Sequence, residues 1–197
     1  LSMPPVISED DIQIAQLESD HEYQYRIGLG ERYGKLLQSM SGIHYNFELG
    51  KDITQQLFEL SEETDFVAFK NTLYLKLAQN FLNYRWLLTY LYGASSLAEK
   101  GFLSEEVGCV RSIRNSKHGY VNAEDVHISF SSLEQYVADI EHAVQSGQLS
   151  AEKEFYSSVR LRGAKTSRDF LSKGISYLEF RTFDLNPYDP FAISQET

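Results

Sequence analysis

Ile43-His44-Tyr45-Asn46-Phe47-Glu48-Leu49 alternates strictly, with an apolar residue at every odd position and a polar one at every even position. A period of two belongs to a half-buried strand, so the stretch predicts a strand that turns His44, Asn46 and Glu48 to a common side. Ile175-Ser176-Tyr177-Leu178-Glu179-Phe180-Arg181-Thr182-Phe183 carries the second such pattern. There Glu179 and Arg181 share one face while Leu178 and Phe180 share the other. Pro187 has no N–H to donate and sets a limit on that strand.

Working outward, the neighbouring patterns are helical. In residues 21–40, Tyr25, Leu29, Tyr33, Leu36, Leu37 and Met40 keep a mostly three-and-four spacing, which predicts an amphipathic helix despite Gly28 and Gly30. Across residues 65–92, Phe66, Phe69, Leu73, Leu77, Phe81, Tyr84, Leu88 and Leu91 recur at the same interval, with Gly93 as the cap. A third helix should start at Ser131 or Ser132, because Ser131-x-x-Glu134 has the capping-box form, and Leu133, Tyr136, Val137, Ile140 and Val144 make its apolar stripe. Gly147 would end it. Strands separated by helices and long connections, without a repeating strand–helix period, predict an α+β domain with a mostly antiparallel sheet. The chain shows no internal repeat and no low-complexity linker.

The composition agrees with one folded domain. Of 197 residues, 42% are hydrophobic and 23% charged, and the formal net charge is −10. That charge argues against nucleic-acid binding and against a cationic membrane anchor. Residues 81–92 form the densest apolar stretch, but Asn83, Arg85 and Thr89 interrupt it, and it is too short for the roughly 20 residues a bilayer span needs. Cys109 is the single cysteine and cannot form an internal disulfide, which points to a reducing compartment, the cytoplasm. The amino end has no targeting pattern and no Met at position 1, and reads as a chain entered partway along.

Charge is unevenly distributed. Residues 1–110 hold 16 acidic and 8 basic groups, whereas residues 111–181 hold 9 acidic and 10 basic ones. Arg111, Arg114 and Lys117 form one basic cluster, and Arg160, Arg162, Lys165 and Arg168 form another. Such clusters suit the carboxylate or phosphate groups of a small ligand, and they equally suit solvated loops that offset neighbouring acids. His44 has the chemistry of a metal ligand or a base, and Glu179 that of a metal ligand. Taken alone, a strand-face histidine and an ordinary Glu179–Arg181 ion pair account for the same residues. No phosphate-binding loop, dinucleotide glycine pattern, zinc-protease motif or nucleophile elbow is present.

Several segments together resemble bacterial glutamate-cysteine ligases. They are Ser41-Gly42-Ile43-His44-Tyr45-Asn46-Phe47, Tyr90-Leu91-Tyr92-Gly93-Ala94-Ser95, and Gly174 through Arg181 followed by Asp184-Leu185-Asn186-Pro187. Leu1-Ser2-Met3-Pro4, Arg32-Tyr33-Gly34, Gly119-Tyr120 with Asn122, and Glu154-Phe155-Tyr156 fall in the family's order, so the resemblance runs over nearly the whole chain. The wording is most similar to the ligase module of bifunctional glutathione biosynthesis proteins, in which a glutathione synthetase domain follows.

The resemblance implies a partial, glutamine-synthetase-like catalytic domain over residues 1–197, with amino-terminal strands and a C-terminal remainder outside it. It implies ATP-dependent ligation of L-glutamate, through γ-glutamyl phosphate, to L-cysteine, with Mg²⁺, or Mn²⁺ in its place, as the ion. Position by position, it makes His44 and Glu179 metal ligands and Arg26 and Arg181 contacts to the transferred phosphate. It makes Asn46 and Arg114 glutamate-site residues, and Tyr25, Met40, Tyr120 and Tyr156 the cysteine pocket. Ser96 stands where the family usually has Pro, and Met40 where a β-branched residue is common. Two other readings stay open at this point: a non-catalytic amino-acid-binding or interaction module on the same fold, and a sister ligase joining glutamate to another amine.

Overall fold

Backbone caps explain where the elements begin and end in the computed structural model, which describes residues 2–6 and 8–193. Leu1 of the opening motif lies outside them. Helix α1, Asp20–Tyr33, starts where the Ser19 hydroxyl accepts the Glu22 N–H, and it stops at Gly34, whose φ of 84° suits glycine. A short helix α2, Lys35–Gln38, follows, so the single helix expected over residues 21–40 is in fact two, broken at Gly34 rather than at Gly28 or Gly30. Strand β1 is Ile43–Phe47, α3 is Lys51–Glu59 and α4 is Phe66–Tyr92. Helix α5, Leu133–Gln145, is capped by Ser132, whose hydroxyl accepts the Gln135 N–H, and Gly147 follows at φ 80°. Strand β2 is Val159–Arg162, α6 is Phe170–Lys173 and β3 is Tyr177–Phe183. Strand β3 thus ends four residues before Pro187. The α+β class expected from the sequence is the one observed.

The chain divides into two compact units. One comprises residues 1–43, 87–121 and 182–197, the other residues 44–86 and 122–181. In the first, Met3, Phe102 and Ile113 form a small core with Leu36, Met40 and Val110 packed against it. The second holds the larger core, in which Tyr74, Leu75 and Ala78 of α4 meet Tyr136, Val137 and Ile140 of α5 and Val159, Leu161 and Leu178 of the sheet.

The sheet is three-stranded in the order β1-β3-β2. Strands β2 and β3 are antiparallel, with Val159 opposite Phe180, Arg160 opposite Glu179, Leu161 opposite Leu178 and Arg162 opposite Tyr177. This register gathers Arg160, Arg162 and Glu179 on one face, because alternate residues and their partners point the same way. Phe180, on the opposite face, stacks on Phe81 of α4 with ring centroids 4.2 Å apart. The β1 alternation is only partly realised: Ile43 and Phe47 are half-buried, but Tyr45 is exposed.

Helix α4 departs from its apolar repeat in an instructive way. Its buried residues are Asn71, Tyr74, Leu75 and Ala78, one step around the helix from Leu73 and Leu77, while Tyr84 and Leu91 are exposed. Two polar groups explain the turn. Asn71 Oδ1 accepts the Ile175 N–H at 2.8 Å, and the Tyr74 hydroxyl accepts the Leu49 N–H at 3.1 Å, so both polar groups enter the interior with partners.

Burial pushes the Tyr136 phenol up to about 12. An unfolded phenol titrates near 10, so the folded state favours the neutral form, and the associated stability is complete below about pH 10 and lost as pH rises toward 12. The loss should total roughly 2–3 kcal/mol. Urea unfolding between pH 8 and 11 should show it, and Tyr136→Phe should flatten the alkaline limb.

Candidate metal and phosphate site

Within the larger unit, three side chains converge on the Glu179 carboxylate. Glu179 is 5% exposed, a burial that needs partners. Arg162 supplies two of them, with Nε and Nη2 at 2.8 and 2.7 Å from Oε2. Oε1 is buried and accepts no hydrogen bond among the described residues. It faces His44 Nδ1 at 3.6 Å and lies 3.5 Å from Arg181 Nε. The Arg181 Nε–H donates to His44 Nε2 at 3.2 Å, which leaves the imidazole proton of the neutral ring on Nδ1. The Arg181 guanidinium also lies over the Tyr156 ring, 4.8 Å from its centroid.

Backbone contacts hold this floor in place. Asn122 clamps Tyr156 from both sides, donating from Nδ2 to its carbonyl at 2.6 Å and accepting its N–H at 2.9 Å. Arg160 donates to the Lys153 and Phe155 carbonyls at 2.6 and 3.0 Å. Burial, and then Arg181 and Arg162 nearby, hold its guanidinium below the usual arginine range. The cluster therefore concentrates three guanidinium groups beside one carboxylate and one imidazole. A carboxylate oxygen and an imidazole nitrogen 3.6 Å apart are the donor types and the proximity that one divalent ion can draw on. Among the described residues no group of three or more His, Cys, Asp or Glu could hold a metal, so the pair supplies only part of a coordination shell.

Four of the residues singled out in the sequence, His44, Glu179, Arg181 and Tyr156, meet here. Asn46 is exposed on β1, two residues from His44 and in the same alternation. Arg162 was visible only as a member of a basic cluster. Its signal is the Val159-Arg160-Leu161-Arg162 alternation, four residues long and easily passed over.

The other candidates lie in the smaller unit. Tyr25 is half-buried and Arg26 exposed on α1, and Met40 packs against the small core. Tyr120 meets Tyr33 edge to face, with centroids 5.0 Å apart. Arg114, expected at a glutamate site, is buried with Asp184: Nη1 lies 3.4 Å from Asp184 Oδ1 and 3.3 Å from the Thr182 carbonyl. Asp184 Oδ2 in turn accepts the Ala94 N–H at 3.0 Å and the Ser95 hydroxyl at 2.7 Å. A Cβ at Gly42 would overlap the Arg114 guanidinium, so the close approach of Arg114 requires glycine there. Gly42→Ala is expected to cost about 1–3 kcal/mol, read from the denaturation midpoint.

An α+β fold whose sheet carries a carboxylate, an imidazole and several guanidinium groups on one face has donor types for a cation and for an anionic group side by side. The particular family follows from comparison: the glutamate-cysteine ligase family model matches residues 1–149 and 145–197, and the chain belongs to that family. The glutathione biosynthesis bifunctional protein GshAB of Streptococcus mutans is 67% identical over the whole chain, which covers 26% of that relative. Among solved structures, a bifunctional glutathione synthetase from Pasteurella multocida superposes with a TM-score of 0.90 at 50% identity, over 98% of this chain and 26% of that one. A glutamate–cysteine ligase from Francisella tularensis in complex with AMP gives a TM-score of 0.85 at 28% identity, over 100% of this chain and 47% of that one. The chain thus spans about a quarter of the length of the curated relatives it matches. No helix among the described residues is long and apolar enough to cross a membrane.

Proposed function

We propose that this chain contributes to an ATP-dependent ligase that joins the γ-carboxylate of L-glutamate to the amine of L-cysteine through γ-glutamyl phosphate, the first step of glutathione synthesis. The observation that carries the reading is the buried Glu179 Oε1, which accepts no hydrogen bond among the described residues and faces His44 Nδ1 and Arg181 Nε beyond hydrogen-bond reach. A buried acceptor without a donor costs free energy, and a cation is the group that would satisfy it. His44 and Glu179 would hold Mg²⁺, with Mn²⁺ as the alternative, and other ligands would come from phosphate, water and the rest of the protein. Such an ion supplies charge neutralisation at the transferring phosphoryl group.

The remaining roles belong to the chain's own side chains. An imidazole that binds an ion through Nδ1 carries its proton on Nε2 and no longer accepts from Arg181, whose planar fork then serves the phosphoryl oxygens. Arg26 is assigned a second phosphate contact. Asn46 and Arg114 serve the glutamate side, with Arg114 acting from its anchored position against Asp184. Tyr25, Met40, Tyr120 and Tyr156 are assigned to the thiol substrate, since aromatic and thioether groups suit a small polarizable side chain. The AMP held by the Francisella ligase supports nucleotide use. The bifunctional names of the relatives support a following synthetase domain. Residues 1–197 are read as one partial catalytic domain of a cytoplasmic enzyme.

A coupled ADP-release assay on a protein of the relatives' full length tests this reading. Turnover should require glutamate, cysteine and the divalent ion together, and should favour cysteine over 2-aminobutyrate. ATP hydrolysis indifferent to cysteine would contradict it.

A further inference from the structure

Arg162 treats the two oxygens of Glu179 unequally. Both of its contacts, from Nε at 2.8 Å and Nη2 at 2.7 Å, go to Oε2. The Nε–H donates to that oxygen and the cationic Nη2 lies against it, so Arg162 engages Oε2 alone. Oε1 has no hydrogen-bond donor among the described residues and is the oxygen that looks toward His44. The register produces the asymmetry: Arg160 sits directly opposite Glu179 and is engaged with carbonyls, while Arg162, opposite Tyr177, reaches Glu179 diagonally from one side.

From this we infer that Arg162 is a positioning residue that sets ion choice at the His44–Glu179 pair, by restricting Glu179 to one coordinating oxygen. The inference rests on the metal-ligand reading of that pair proposed above. Mg²⁺ takes six ligands in near-ideal octahedral geometry at about 2.0–2.1 Å, and a carboxylate serves it well through a single oxygen. Ca²⁺ is larger, accepts six to eight oxygens and readily takes a carboxylate through both. With Oε2 held by Arg162, Glu179 offers the first kind of ligation. Without Arg162, Oε2 becomes available and the second kind opens. Loss of the positive charge of Arg162 acts on any divalent ion by the same factor, so it moves both affinities and leaves their ratio unchanged. The ratio therefore reports positioning alone.

The experiment measures Mn²⁺ binding by electron paramagnetic resonance in a protein of the relatives' full length, without substrates, with Mg²⁺ or Ca²⁺ as competitor. The site of interest is the Mn²⁺ site lost in Glu179→Gln. Arg162→Gln should raise the Ca²⁺-to-Mg²⁺ affinity ratio there by about tenfold or more, the scale on which groups behind metal ligands act. Arg162→Lys keeps a cation but not the two-donor contact. It should shift the ratio in the same direction, and it carries the test if the Gln variant fails to give a native melt. A ratio within about twofold of wild type in the folded variants, with Mn²⁺ binding lost in Glu179→Gln, overturns the role of Arg162 and leaves the ligand pair standing. Unchanged Mn²⁺ binding in Glu179→Gln removes the ligand pair and this inference with it.

Discussion

Replacing Arg181 by Lys, in a protein of the relatives' full length, is expected to lower kcat by about 10²- to 10³-fold, the scale of losing one preorganised contact to charge that develops in the transition state. The guanidinium is oriented before any substrate arrives: its face lies on the Tyr156 ring, a contact independent of whether His44 accepts from it. Preorganisation of that kind is what makes an electrostatic contact effective, since little rearrangement is left for the moment of reaction. A Lys ammonium is a point charge and cannot reproduce a two-pronged contact to phosphoryl oxygens. It does keep a cation over the Tyr156 ring, so the KM for cysteine should hold in the Lys variant and rise a few-fold in Arg181→Ala. The split between kcat and KM is the diagnostic quantity. An ordinary strand-face ion pair predicts a different outcome, a stability change of roughly 0–1 kcal/mol and nearly intact turnover. Wild-type kcat in both variants, with native melts, would remove Arg181 from the site.

The largest stability effect is expected at Asp184. Its side chain is wholly buried, and that of Arg114 is 7% exposed. The Asp184 carboxylate accepts from Arg114 and Asn115 at Oδ1 and from Ala94 and Ser95 at Oδ2. Removing one member of a buried pair leaves the other charged without compensation, which costs about 3–5 kcal/mol. For a domain whose whole stability is about 5–15 kcal/mol, Asp184→Ala approaches unfolding. Asp184→Asn keeps the shape and some acceptor capacity and should fall at the lower end. The double variant Arg114→Met with Asp184→Leu should recover only the part of the loss that comes from the uncompensated Arg114 charge, because Asn115, Ala94 and Ser95 still lose their acceptor. Urea unfolding of the three variants measures these differences. A value for Asp184→Ala within about 1 kcal/mol of wild type would mean that the pair is effectively solvated.

Much of this architecture is readable from local patterns, and the exceptions have physical causes. Strand β3 was legible because each face has its own chemistry, Leu178 and Phe180 against Glu179 and Arg181. Helix α5 was legible because a capping serine, an apolar stripe and Gly147 agree on its span. Helix α4 was found, but its buried side was misplaced by one step, because Asn71 and Tyr74 are buried through single backbone hydrogen bonds that apolar periodicity does not register. The break at Gly34 was missed because Gly28 and Gly30 looked like the weaker points, although the positive φ falls at Gly34. Strand β2, α3 and α6 are short, and four residues such as Val159 to Arg162 carry too little pattern to stand out. At the site, spacing alone put Glu179 beside Arg181 and His44 on a polar strand face with the chemistry of a metal ligand or base, and resemblance brought in Tyr156 and the assigned roles. Arg162 needed the strand register, since no local rule pairs it with a residue 17 positions away.

The proposed ligation passes through an acyl phosphate made from the glutamate γ-carboxylate, and oxygen tracing tests that step most directly. In such a reaction one γ-carboxylate oxygen attacks the terminal phosphorus of ATP, and the same oxygen leaves with inorganic phosphate when the cysteine amine attacks the carbonyl carbon. With glutamate labelled by ¹⁸O at the γ-carboxylate, the protein at the relatives' full length should place one ¹⁸O in phosphate for each dipeptide formed, and Arg181→Lys should slow both products in step. Dipeptide formed with unlabelled phosphate would contradict the intermediate, and with it the roles given to His44, Glu179 and Arg181.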